Sequence, residues 1–323
     1  MRALVTGGAG FIGSSLCESL VLRGDEVTVI DNFTSGSNSN LAWAVGFRNS
    51  FAVVRCDVKS QPEIERLVRS LDTVFHFAAN PEVRLDKSEP KTCFEENVAA
   101  TQVVLEAARK SSVRSLIFAS SSTVYGEARV QPTPEEYCLS APISIYGACK
   151  LASEALISGY AKTYGFNATI LRFANVIGPR SNHGVVPDFV RKLKADPNAL
   201  EILGDGLQTK SYLYIDDCVS AITLAEKSAS GLTVYNVGSK DQIDVKQVAA
   251  IVSKVMGLTP RYKFTGGIDG GRGWKGDVTN MILDIRKMQS LGWQPKHSSA
   301  EAVLMTAKQL QNWNAVGRGT LSS

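Results

Sequence analysis

Apolar residues in the first half of the chain fall in short, nearly unbroken runs: "RALVT" (2–6), "EVTVID" (26–31), "FAVVRC" (51–56), "TVFHFA" (73–78), "SLIFAS" (115–120) and "ATILRF" (168–173). Runs this short and this continuous predict strands buried on both faces, the habit of a parallel sheet covered by helices. Between them, helical spacing predicts helices over 11–23, 60–70, 91–110 and 144–164. Strand and helix alternating over residues 1–175 predict an α/β fold with a doubly wound parallel sheet.

The rhythm then breaks. Pro187, Pro197, "GDG" (204–206) and "GGIDGGRG" (266–273) punctuate shorter elements over 176–313. "SYLYIDD" (211–217) predicts a strand followed by a helix, and "VYNVG" (234–238) another strand. Two more helices are expected near 244–256 and 300–313. The pattern describes a smaller lobe interleaved with returns to the sheet near 211–240, and a tail over 314–323 that is expected to fray.

The join between the first strand and the first helix carries chemistry. "VTGGAGFIG" satisfies Gly-x-Gly-x-x-Gly from Gly8 and also the spacing Gly7, Gly10, Gly13. Glycines there permit a tight turn and close backbone approach to a pyrophosphate, which then meets free N–H groups at the positive helix end. Asp31 ends the second strand 18 residues beyond Gly13, where a carboxylate can accept bonds from both ribose hydroxyls of an adenosine. Asn32, not arginine, follows it, so a 2′-phosphate would be repelled and NAD is favoured over NADP. Asp57, at the end of the third strand, has two uses open to it: meeting the adenine, or capping the helix that starts near Ser60.

Composition narrows the classes. With 44% hydrophobic and 20% charged residues, the 323-residue chain can bury a large core. A net charge of +4, from 35 basic and 31 acidic residues without a basic run, disfavours a nucleic-acid or membrane-surface protein. The six cysteines contain no Cys-x-x-Cys pair, and His76, His183 and His297 lie far apart, so no metal site is expected and reduced thiols are. No apolar stretch approaches the ~20 residues of a membrane helix. The chain enters "RALVTGG" directly, so no signal peptide is expected and the protein is expected to be soluble and cytoplasmic.

"SIYGACK" (144–150) sets Tyr146 four residues before Lys150. With nine tyrosines and 18 lysines, about half such a match arises by chance, so its surroundings must decide. They include "TGGAGFIG" (6–13), "DN" (31–32), "DV" (57–58), "FHFAA" (75–79), Asn97 and "SSSTVYG" (120–126). The series continues through "LRFANVIGPR" (171–180), "GDGLQTKSYLYIDD" (204–217), "NVG" (236–238) and "GDV" (276–278). In these motifs, in order to about residue 313, the chain resembles the extended short-chain dehydrogenase/reductases, and within them the UDP-glucose (UDP-galactose) 4-epimerases.

The resemblance implies a Rossmann domain with a nucleotide-sugar lobe, and a catalytic set of Ser121, Tyr146 and Lys150, with Ser120 and Ser122 as the register alternatives to Ser121. At i and i+4, Tyr146 and Lys150 share a helix face, and an ammonium beside a phenol is expected to lower its pKa. The implied NAD site comprises Gly7, Gly10, Phe11, Ile12, Gly13, Asp31, Asn32, Ser35, Gly36, Asp57, Val58, Phe77, Ala78, Ala79, Asn97, Tyr146, Lys150 and Phe173. The implied UDP-sugar site comprises Ser121, Thr123, Tyr146, Asn175, Val186, Ile202, Lys210, Arg272 and Asp277.

Related 4,6-dehydratases carry Asp-Glu just before "VYG", and UDP-glucuronate decarboxylases usually a glutamate; Ser122 and Thr123 stand here and resemble the epimerase pattern. Two departures concern the diphosphate. Lys210 stands where the family usually has arginine, and Trp274 holds the place of another. Arg272 is then either its substitute or a surface arginine in a glycine loop. Met281, where the family sets sugar-pocket width, leaves room for an N-acetyl group. The expected activity is NAD-dependent C4 epimerisation of a UDP-hexose through a 4-keto sugar. The alternatives are a UDP-GlcNAc or UDP-glucuronate 4-epimerase, a 4-keto reductase, and a non-catalytic NAD-binding protein. Helices 91–110 and 144–164 match the pair that forms the family's homodimer, although burial on the chain's own sheet explains the same pattern.

Overall fold

A computed structural model describes residues 1–83 and 89–316, the side chains of 313–316 apart. The first half contributes β1 (Arg2–Thr6), α1 (Phe11–Leu22), β2 (Glu26–Asp31), β3 (Phe51–Arg55), α2 (Gln61–Val68), β4 (Thr73–His76), α3 (Pro90–Phe94), α4 (Ala100–Arg109), β5 (Ser115–Ser121), α5 (Ile145–Tyr164) and β6 (Asn167–Phe173). With the later strand Leu232–Val237 they form one seven-stranded sheet. Its order is Leu232–Val237, β6, β5, β4, β1, β2, β3, and every pairing is parallel.

The sheet divides the core in two. Alternate residues of one strand go to opposite sides: Ala3 and Val5 of β1 join the cluster under α1 and Ile215–Lys227, and Leu4 joins the cluster under α2, α4 and α5. Strand continuity thus has the expected cause, burial on both faces. The exception is β3, an edge strand whose Ala52 and Val53 are exposed despite the unbroken apolar run "FAVV". Chain order reverses between β1 and β4, and their carboxyl ends open the crevice where open α/β sheets bind ligands.

The expected helix over 91–110 is helical throughout but not uniformly α: a π turn, Glu95–Ala99, joins α3 to α4. The apolar positions of α4 and α5, among them Val104, Leu105, Ile157 and Ala161, pack on the chain's own sheet. In the second half, Val185–Ala195 is a helix with Pro187 in its first turn, where the missing N–H costs nothing. Short strands assemble beside the sheet edge. Asn175–Ile177 pairs with Tyr212–Tyr214, and Thr209–Lys210 lies between Ile243–Asp244 and Asn280–Met281. Ala199–Ile202 pairs with Arg261–Phe264. The last helix, Ser299–Val316, runs three residues into the stretch expected to fray; 317–323 lie outside the described residues. Among those residues, no helix is long and apolar enough to cross a membrane.

Candidate active site

The glycine loop is a cradle that side chains would fill. Gly7 has φ +70°, and a Cβ on it would lie 2.7 Å from the backbone nitrogen of Ala78. A Cβ on Gly13 would lie 2.2 Å from the Gly7 carbonyl oxygen, and one on Gly10 3.1 Å from it. Gly10 caps α1 without a side-chain bond, which leaves the first-turn N–H groups for a ligand. Asp31 is buried; its Oδ2 accepts from Ala9 N (2.9 Å) and its Oδ1 from Phe33 N (2.8 Å). Each oxygen keeps a further lone pair for a ribose hydroxyl. The residues present therefore fit NAD.

The flanking residues divide. Phe77 and Ala78 wall the loop with backbone, and Phe77 packs 6.3 Å from Phe173. Phe11 and Ile12 pack against the larger core, Gly36 packs on Ala9 and Asp31, and Ser35 is exposed. Asp57 accepts from Lys59 N (2.9 Å) and from Asn32 Nδ2 (3.2 Å), so it holds the turn before α2 and ties Asn32 down. Val58 and Asn97 are buried, and Ala79 is half-buried.

A buried chain that the sequence did not disclose runs beneath. Thr6 Oγ1 receives Phe77 N and Ala78 N at 3.2 Å each, so its own proton points to His76 Nδ1 at 2.8 Å. The ring must then carry its proton on Nε2, which donates to Thr101 Oγ1 (3.0 Å), and Thr101 donates to the Asn97 carbonyl (2.6 Å). Burial, aided by the charge of Lys150, pushes the His76 pKa down to about 3.

The catalytic candidates meet at the end of β5. Ser121 ends the strand and caps the 3₁₀ turn Ser122–Tyr125, accepting from Thr123 N (3.2 Å) and Thr123 Oγ1 (3.0 Å). α5 begins against that turn, capped by Ser144 through Gly147 N (3.1 Å). A Cβ on Gly147 would lie 2.6 Å from the Thr123 carbonyl oxygen, so the glycine of "YGACK" is what lets the helix seat there. Tyr146 lies in the first turn, beside Ser121, whose hydroxyl favours the ionised phenol. Ser120 turns away to Glu154 Oε1 (2.5 Å), which separates it from Ser121 in use.

Lys150 is buried, donates to the Ala119 carbonyl (2.8 Å), and sits 5.8 Å from the centre of the Tyr146 ring. The expected lowering of the phenol pKa is reversed. Burial pushes Tyr146 well above the ordinary phenol range, and the Ser121 hydroxyl opposes this only in part. Lys150 is itself desolvated, which pushes its pKa down to about 8, with Glu154 pulling it back up. Burial is the largest influence on both groups.

On the lobe side, Asn175 Nδ2 donates to the Ser211 carbonyl (3.2 Å). Lys210 forms an ion pair with the buried Asp277 and lies 5.2 Å over the Trp274 ring. Arg272 Nη2 donates to Glu127 Oε1 (2.6 Å), and Glu127 also receives Thr279 N (3.1 Å). Arg272 is thus paired within the protein, and Glu127, directly after "VYG", ties the 266–273 loop to the Ser122–Tyr125 turn. A Cβ on Gly276 would lie 2.8 Å from the Ile143 carbonyl oxygen, so the same loop abuts the start of α5. Val186 and Ile202 have fully buried side chains, which leaves them only backbone to offer a nucleotide. Met281 is buried and pairs in register with Lys210.

Compared with known proteins, residues 3–238 match the NAD dependent epimerase/dehydratase family. A solved UDP-galactose 4-epimerase is 44% identical, with a TM-score of 0.86, over 97% of this chain and 99% of that one. The UDP-glucose 4-epimerase of Thermus thermophilus, solved in complex with NAD, is 33% identical, with a TM-score of 0.84, over 96% of this chain and 99% of that one. The UDP-N-acetyl-alpha-D-glucosaminuronate decarboxylase of Bacillus cytotoxicus is 32% identical, over 91% of this chain and 94% of that protein. Identity near one third is shared with more than one activity, so the reaction must be argued from the site.

Proposed function

The chain belongs to the NAD-dependent epimerase/dehydratase family, and within it we propose that it interconverts the C4 epimers of a UDP-hexose, UDP-glucose and UDP-galactose. The observation that carries this reading is Tyr146 set beside Ser121 with Lys150 5.8 Å from its ring centre, flanked by Ser122 and Thr123 in place of acids. Hydroxyls can orient a sugar; they cannot supply the separate acid and base that eliminating water requires.

Bound NAD supplies a reversible hydride acceptor for C4. The protein's part is proton handling. Tyr146 takes the proton of the 4-hydroxyl and returns it after the 4-keto sugar has turned over within the site. The Lys150 ammonium and the Ser121 hydroxyl both favour the phenolate needed first, and burial favours the phenol needed last. Ser121 and Thr123 hold the reacting hydroxyl. Asn175, Lys210 and Arg272 are proposed to keep the diphosphate anchored while the sugar turns, with Asp277 lining the same UDP-sugar site. The proposal carries with it a homodimer through α4 and α5, supported by exposed Phe94 and Tyr164 near those helices and tested by sedimentation.

Product analysis on a panel of UDP-sugars tests the reading. Interconversion of UDP-glucose and UDP-galactose is expected without net change in nicotinamide absorbance, and Tyr146→Phe should abolish it while NAD still binds. Absence of turnover on UDP-hexoses, or stoichiometric consumption of reduced cofactor, would refute it. UDP-GlcNAc and UDP-glucuronate belong in the panel because Met281 is unbranched.

A further inference from the structure

Lys150 presents a problem that its neighbours must solve. An ammonium stripped of water needs a compensating charge. Among the described residues, no carboxylate forms an ion pair with it. Its surroundings are the Ala119 carbonyl and the Phe118 ring of β5, Tyr146 and Cys149 of α5, Cys93 of α3 and His76 of β4. None of these is a carboxylate.

One turn further along α5 lies Glu154, buried and itself fully partnered. Its Oε1 accepts from Ser120 Oγ (2.5 Å) and Arg172 Nε (3.0 Å), and its Oε2 from Arg172 Nη2 (2.6 Å). Ser120 and Arg172 are register partners on β5 and β6, so one carboxylate grips two adjacent strands. Arg172 is held in turn by the Tyr125 hydroxyl (2.7 Å), which donates to Asn236 Oδ1 (2.8 Å). Asn236 donates to the carbonyls of Thr133 (2.9 Å) and Asp284 (3.1 Å). The guanidinium is therefore held by Tyr125 as well as by Glu154, and the carboxylate is the member of the pair that shares α5 with Lys150, one turn away.

We propose that Glu154 is a positioning residue for the reaction: clamped by Ser120 and Arg172, it fixes α5 against the strand bearing Ser121 and supplies the negative charge that keeps the buried Lys150 an ammonium. Substrate does not touch it. Its effect passes through Lys150 to Tyr146, and it rests on the proton chemistry proposed above. The direction of the Lys150 perturbation agrees, since burial lowers its pKa and Glu154 is the largest influence raising it.

The test compares wild type, Glu154→Gln and Glu154→Asp as NAD-loaded proteins. Glu154→Gln keeps shape and loses charge, so the alkaline limb of the kcat profile should move about one pH unit toward acid, with KM unchanged. Glu154→Asp keeps the charge and should move the limb less. Both variants losing kcat with an unmoved limb would overturn the proposal and leave Glu154 a packing residue. Where Glu154→Gln does not accumulate folded, an unmoved limb in Glu154→Asp overturns it equally. A second readout needs no turnover: the Lys150 side-chain nitrogen, followed by NMR of lysine-labelled protein and assigned by its loss in Lys150→Met, should titrate at lower pH in Glu154→Gln. Unchanged titration refutes the charge-setting role even if the 4-epimerase reading holds. A shifted titration in a protein inert toward UDP-hexoses refutes that reading and keeps this one.

Discussion

His76 makes the fold acid-labile in a way that can be isolated. Folded, its ring is locked neutral: Nδ1 must accept from Thr6, whose lone pairs already serve Phe77 N and Ala78 N, so a protonated ring would have no acceptor there. Its pKa falls from the ordinary 6.5 to about 3. Below pH 6.5 the unfolded chain binds a proton that the folded chain refuses, so stability drops as pH drops; above pH 6.5 neither state binds it and nothing changes. Each pH unit in the window costs ~1.4 kcal/mol. Going from pH 7.5 to pH 5.0 crosses 1.5 units of it, or about 2 kcal/mol. The measurement is urea unfolding of wild type and His76→Gln at both pH values. Every other titrating group is common to both, so wild type should lose about 2 kcal/mol more than the variant. Parallel losses would refute the reasoning, as would an NMR titration of His76 near its ordinary value.

Two further substitutions test backbone seating. Gly13→Ala forces a methyl to 2.2 Å from the Gly7 carbonyl oxygen, so calorimetry should show NAD affinity reduced at least ~tenfold; undiminished affinity would mean the loop is not the dinucleotide cradle. Gly147→Ala sets a methyl 2.6 Å from the Thr123 carbonyl oxygen and displaces the start of α5, so kcat should fall on the order of a hundredfold. NAD binding should survive that change, and unaltered kcat would show that the seating of Tyr146 on its turn does not matter.

Much of the architecture was legible because its signals are local. Strands buried on both faces announce themselves as short apolar runs, and Gly7, Gly10 and Gly13 mark a turn that only glycine can make. The edge position of β3 was not legible, since "FAVV" does not reveal that half its side chains face water. The π turn at Glu95–Ala99 was hidden because periodicity cannot see one extra residue in a helix. Within the site, Ser121, Tyr146 and Lys150 came from the resemblance of their motifs to the family's, not from spacing alone. Glu154 and Arg172 did not, because their partnership spans different elements and no local pattern announces it. The direction of the Tyr146 perturbation was misjudged for a related reason: spacing shows that a lysine is near, but not that both groups are dry.

The pairing of Lys210 with Asp277 and of Arg272 with Glu127 has a consequence for traffic through the site. These cations come already provided with anions of the protein's own. On the proposed function, a diphosphate reaching either one would enter by exchange, displacing a tethered carboxylate that stays close by and competes to return. Such a site would hold its guest without trapping it, and its response to added salt should be flatter than that of a pocket lined with unpaired cations. Displacing Glu127 would also loosen the link between the 266–273 loop and the Ser122–Tyr125 turn, so that loading the lobe and freeing that loop would become a single event.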